Sequence, residues 1–113
     1  DIGDVAAAAL LSDAYAGRVL PLSGPEPLVV ADRVRILGEV LDRPLRLVPM
    51  SNDEARADLS ASMPQDYVDA FFAFYVDGTL DESVVHPTVE EVCGRPPRTF
   101  REWAQAHAGA FTR

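Results

Sequence analysis

Lysine is missing from this chain: all ten basic side chains are arginine. That excludes a catalytic lysine of any kind within these residues, and with it a tyrosine–lysine proton relay. Cysteine occurs once, at Cys93, so no internal disulfide exists, and a lone thiol fits a reducing, cytoplasmic compartment. The seven glycines stand at 3, 17, 24, 38, 78, 94 and 109, and no group of them forms a loop able to cradle a pyrophosphate. No cofactor site is therefore expected in this chain. The two histidines, His86 and His107, have no Cys or His neighbour at metal-ligand spacing. The longest apolar run near the start, Val5 to Leu11, is too short to span a bilayer and lacks the basic flank of a signal peptide.

What is present is apolar and acidic. Hydrophobic residues make up 48% of 113, enough for a packed core, and the length predicts one domain, 1–113. Eighteen acidic residues against ten arginines leave a net charge of −8. Such a chain repels phosphate backbones and anionic membrane surfaces, so neither nucleic acid nor membrane is an expected partner. Asp1 rather than Met opens the chain, which reads either as a trimmed start or as a piece of something longer.

The stretch from Arg18 to Met50 organises the rest. Val19, Leu20 and Leu22 form a short apolar run ending at the turn signal Ser23-Gly24-Pro25. From Leu28 the apolar residues recur at three- and four-residue steps through Leu41, with Asp32, Arg33, Arg35 and Glu39 on the other face. Pro44 pushes the residue before it out of the helical region and ends that helix. Leu45, Leu47, Val48 and Met50 then read as a second strand. The expected fold class is α/β and mostly helical: a two-stranded parallel β-α-β unit with about five further helices. Two strands are a poor sheet on their own, so a lost partner surface or self-association is expected.

The further helices announce themselves. Residues 1–11 carry an alanine run behind Asp1 and Asp4. Ser51/Glu54, Thr88/Glu91 and Thr99/Glu102 have capping-box spacing. Pro64 suits the first turn of an aromatic helix holding Tyr67, Phe71, Phe72, Phe74 and Tyr75. Tyr67, Phe71, Phe74 and Tyr75 share a face, and Phe72 points elsewhere. That face is either core or, with Met63 and His86, the lining of a site for a small hydrophobic organic substrate. Asp77, Asp81, Glu82 and His86 are better read as a solvated acidic loop than as a metal site. Cys93 reads as a structural thiol. Arg95, Arg98 and Arg101 either clamp an anionic group or pair with the surplus acids.

Residues 1–10 (DIGDVAAAAL), the turn LSGPE (22–26), DRP (42–44) and the tail TVEEVCGRPPRTFREWA (88–104) together resemble the C-terminal third of NmrA-like atypical short-chain dehydrogenase/reductases. The resemblance covers essentially the whole chain. It implies descent from, or membership in, a Rossmann-type protein whose NAD(P)-binding half, with its glycine-rich loop, lies outside these residues. It also implies that the aromatic helix 65–77 contributes to the substrate-side wall; no catalytic or cofactor residue of the family maps onto this chain. The leading expectation is thus the substrate-binding portion of an NAD(P)-dependent reductase or epimerase-like enzyme, catalytically incomplete alone. Alternatives are a stand-alone small-molecule binder or cofactor-free cyclase or isomerase, with Tyr67, Tyr75 or His86 as acid or base, and a non-enzymatic dimerising module.

Overall fold

A computed structural model describes residues 1–111. Six α-helices follow one another: α1 (Ile2–Leu10), α2 (Val30–Val40), α3 (Asn52–Ser60), α4 (Gln65–Tyr75), α5 (Thr88–Cys93) and α6 (Phe100–Ala106), with short 3-10 turns at Asp13–Tyr15 and Ala108–Phe111. They fall into two compact units. One comprises Asp1–Arg46 with Glu82–Arg113; the other is the hairpin Leu47–Asp81.

No strand occurs among the described residues, which overturns the expected two-stranded parallel β-α-β unit and the α/β class. The crossover helix is present as α2, but neither flanking segment pairs. Val19 is 91% exposed and Val48 62%, so these side chains have no layer to pack against. The cause is the non-local nature of a strand. Its N–H and C=O groups are satisfied only by a neighbour, whereas a helix closes its bonds within its own segment. Pro21 and Pro49 also remove a donor from each segment. Two short, proline-broken segments do not supply a ladder for each other.

In the larger unit α1 packs on α5 and α2 packs on α6. Val5 and Val89 are the buried aliphatic side chains of the first pair, Ile36 and Ala104 those of the second. The alanine-rich α1 thereby finds cover on one side, while Ile2, Leu10 and Leu11 stay exposed. Gly38 permits a close approach: a Cβ there would stand 3.0 Å from the Arg43 carbonyl oxygen. The Arg43 guanidinium donates to the Phe111 carbonyl at 3.1 Å and ties the end of α2 to the last turn. The Ser23 hydroxyl accepts from the His86 N–H at 2.7 Å, which fixes the Ser-Gly-Pro turn to the loop before α5.

Local signals set the helix ends. The Ser51/Glu54 and Thr99/Glu102 capping boxes both form, each hydroxyl accepting the N–H three residues on and each carboxylate accepting the N–H of the cap. The expected Thr88/Glu91 box does not. Pro87 takes the cap position, so Thr88 becomes the first helical residue and is buried beside Val89. α5 ends at Gly94, whose φ of 68° is the left-handed conformation that glycine adopts without penalty.

A core this small gives each buried side chain a large share of the stability. Val89→Ala is expected to cost about 2 kcal/mol, Thr99→Ala about 1 kcal/mol, and Val19→Ala less than about 0.5 kcal/mol. Urea midpoints at constant slope, followed by circular dichroism, check this ranking.

Candidate functional site

The hairpin 47–81 carries the aromatic helix. α3 and α4 pack against each other, joined by a tight connection in which the N–H groups of Ser62 and Met63 both donate to the Leu59 carbonyl. α4 buries Val68 completely and half-buries Phe72 and Ala73; Leu59 and Met63 are half-buried as well. The remaining aromatics form the opposite side of α4. Tyr67 is 64% exposed, Tyr75 57%, Phe74 45% and Phe71 41%. These four are therefore neither a core nor the wall of a closed cavity within the hairpin: they make an open aromatic stripe.

The rings on that stripe touch one another. Phe71 and Tyr75 lie 5.8 Å apart with planes tilted by 31°, and Phe74 meets Tyr75 edge-on at 6.4 Å. Phe72 does point elsewhere, toward α3, where the Arg56 guanidinium sits 4.1 Å from its ring centroid. The same guanidinium holds the Asp69 carboxylate at 2.7 Å, and the Gln65 amide donates to that oxygen at 2.9 Å. Arg56, with Gln65 in second place, holds the Asp69 carboxyl below its ordinary pKa. Sequence reading found the aromatic stripe but missed Arg56, whose partners lie 13 and 16 residues ahead on the next helix.

Of the six proposed substrate residues, Met63, Tyr67, Phe71, Phe74 and Tyr75 thus belong to the hairpin, with Met63 in the connection and the other four along α4. His86 belongs to the larger unit, half-buried beside the Ser23 turn. Among the described residues no three His, Cys, Asp or Glu side chains converge on a common point, so Asp77, Asp81, Glu82 and His86 form no metal cage. Cys93 is free and half-buried at the end of α5.

The arginine group resolves into internal pairs. Arg98 donates to Asp1 from its guanidinium at 2.7 Å and from its backbone N–H at 2.8 Å, and reaches Asp4 at 3.2 Å. Arg95 bonds both Asp1 and Asp4. Arg101 pairs with Glu39, which also binds Arg35 at 3.0 Å. These contacts fasten the proline-rich linker to the start of α1, and α6 to α2, across separations of 62 to 97 residues. Arg95 and then Arg98 lower the pKa of Asp4; Arg101 and then Arg35 lower that of Glu39. A third aromatic group lies on α6: Trp103 stacks between Phe100 at 5.6 Å and His107 at 4.8 Å.

No helix among the described residues is long and apolar enough to cross a membrane. No family model matches the chain. It is 39% identical over 112 residues to a (4-alkanoyl-5-oxo-2,5-dihydrofuran-3-yl)methyl phosphate reductase of Streptomyces griseus. It is 35% identical over 113 residues to an NAD(P)H azoreductase of Xenophilus azovorans. It is 33% identical over 116 residues to the oxidoreductase YesF of Bacillus subtilis, a protein described as uncharacterized. Each alignment takes in 98% or 99% of this chain, and the chain spans about 40% of the length of these relatives. Over nearly its whole length, then, the chain is related to a part of larger reductases and oxidoreductases.

The three ion-pair groups, around Asp4, Glu39 and Asp69, make stability depend on acid. Because the folded-state pKa values of Asp4, Glu39 and Asp69 are depressed, their contribution is fully present above the ordinary carboxylate range. It is lost as the pH falls below about 4, through the lowered folded values. Urea midpoints should fall over that window and stay flat above it. In an Arg95→Gln/Arg98→Gln double variant the Asp4 carboxyl, followed by NMR, should return to its ordinary titration.

Proposed function

We propose that this chain is the substrate-facing portion of an NAD(P)-dependent reductase of the NmrA-like atypical short-chain dehydrogenase/reductase kind, whose nucleotide is held by residues outside it. The observation that carries this reading is the similarity, at 33–39% identity over nearly the entire chain, to a part of three proteins named as reductases or oxidoreductases. One of those names specifies NAD(P)H. On this reading hydride chemistry belongs to residues outside the chain, since these hold neither a glycine-rich phosphate loop nor a lysine.

The contribution of this chain is then binding and orientation. α4 offers an exposed aromatic surface in Phe71, Phe74 and Tyr75, and Tyr67 and Tyr75 add hydroxyls at its two ends. The azo group and the 5-oxo-2,5-dihydrofuran ring named for two of the relatives are both flat groups, which aromatic rings accept by offset stacking. Holding such a group in one plane fixes which face a hydride reaches, and orientation of that kind is a large part of catalysis. Met63 lies in the α3–α4 connection, just ahead of α4.

The test joins genetics to kinetics. Coding sequence upstream of Asp1 should continue in frame and encode a glycine-rich loop after a strand. The complete protein should oxidise NADPH or NADH with an azo or unsaturated carbonyl acceptor. Phe71→Ala and Tyr75→Ala in it should raise KM for the acceptor roughly tenfold, leaving KM for the nucleotide unchanged. The 113-residue chain by itself should not quench NADPH fluorescence. An upstream stop codon next to a native start, or tight nucleotide binding by the chain alone, would overturn the reading.

A further inference from the structure

α1 is apolar nearly all the way round. Of its nine residues only Asp4 is polar, and that carboxylate is taken up by Arg95 and Arg98. Val5 is 3% exposed and lies, with the half-buried Ala8 and Ala9, on the side where α1 meets α5. Gly3, Ala6, Ala7 and Leu10 fall on the opposite side at helical spacing, and all four are exposed. Ile2 at the edge of that side is 74% exposed; Leu10 and the cap residue Leu11 are each 87% exposed. A helix apolar on both sides belongs between two layers. Its own unit covers one side, through α5.

Size and charge select what covers the other. The outward face is about 14 Å long and about 10 Å across. That is far below the roughly 800 Å² per partner of a stable interface between separate molecules. Neither a second copy nor a free protein is held by so little. A part of the same polypeptide needs no such area, because chain connectivity keeps it at high effective concentration. The outward side chains carry neither charge nor hydrogen-bonding group, so the covering layer is apolar as well. The relatives have the polypeptide to supply it. This chain spans about 40% of each, α1 with it, so about 60% of each lies outside the alignment.

We propose that the outward face of α1, formed by Ile2, Ala6, Ala7 and Leu10, is an internal docking surface. In the complete enzyme it packs on an apolar layer from the nucleotide-holding part, and α1 lies between that part and α5. This deepens the functional reading by naming where the two parts of the enzyme join, and it rests on the chain being a portion of a larger reductase.

The same substitutions placed in the 113-residue chain and in the complete enzyme test this. In Ala6→Cys the new thiol, followed by mass spectrometry of its peptide, should react with iodoacetamide freely in the chain. In the complete enzyme it should react about a hundredfold more slowly. Ala6→Glu/Leu10→Arg sets an i,i+4 ion pair on the outward face. It should leave the melting temperature of the chain within about 2 °C and lower that of the complete enzyme by about 10 °C, by burying charge. Leu10→Ala should do the same on a smaller scale, about 5 °C in the complete enzyme alone, and keeps the test readable if the charged variant does not fold. Equal labelling rates in chain and enzyme, or equal melting shifts, would overturn the docking surface; reductase activity in that same enzyme would leave the functional reading standing. A chain that sediments as a dimer, and as a monomer once Ala6→Glu/Leu10→Arg is introduced, would also overturn it by giving the face to a second copy. An upstream stop codon beside a native start would overturn both.

Discussion

Every regular element among the described residues closes its backbone hydrogen bonds inside its own segment. That constraint separates what these residues build alone from what they do not. Helices nucleate wherever caps and apolar periodicity agree, and tertiary packing is needed only to select among them. Extended segments have no such autonomy. Val19 and Val48 carry the β-branched side chains that suit a pleated surface, yet without a ladder they stay exposed and irregular.

Given helices, the larger unit depends on a few close contacts and on arginine. Val5 with α5 and Ile36 with α6 supply buried apolar surface at two seams, and the ion pairs of Arg95, Arg98 and Arg101 join segments distant in sequence. Exposed pairs of this kind contribute little singly. Their effect here is registration: Asp1 accepts both a side-chain and a backbone N–H from Arg98, which fixes where the proline-rich linker lies against α1. Arginine is suited to this because its planar fork engages two carboxylates at once.

The aromatic helix shows how one element serves two ends. α4 spends Val68 and Phe72 on the seam with α3 and keeps Tyr67, Phe71, Phe74 and Tyr75 outward. A soluble surface seldom carries four large aromatics in one stripe unless they meet something. Proteins named as reductases and oxidoreductases are related to the chain over nearly its whole length, this helix included.

The helices were readable from the amino-acid order, since their causes are local. Ser51/Glu54 and Thr99/Glu102, Gly94 and the apolar period of α2 each act within one turn of where they stand. The shared face of Tyr67, Phe71, Phe74 and Tyr75 follows from helical geometry alone. Tertiary structure decided the rest. It left 18–23 and 45–50 unpaired, because pairing requires a neighbour that no local pattern specifies. It placed Pro87 rather than Thr88 at the start of α5. It set Arg56 between Asp69 and the Phe72 ring, a choice made by side chains on another helix.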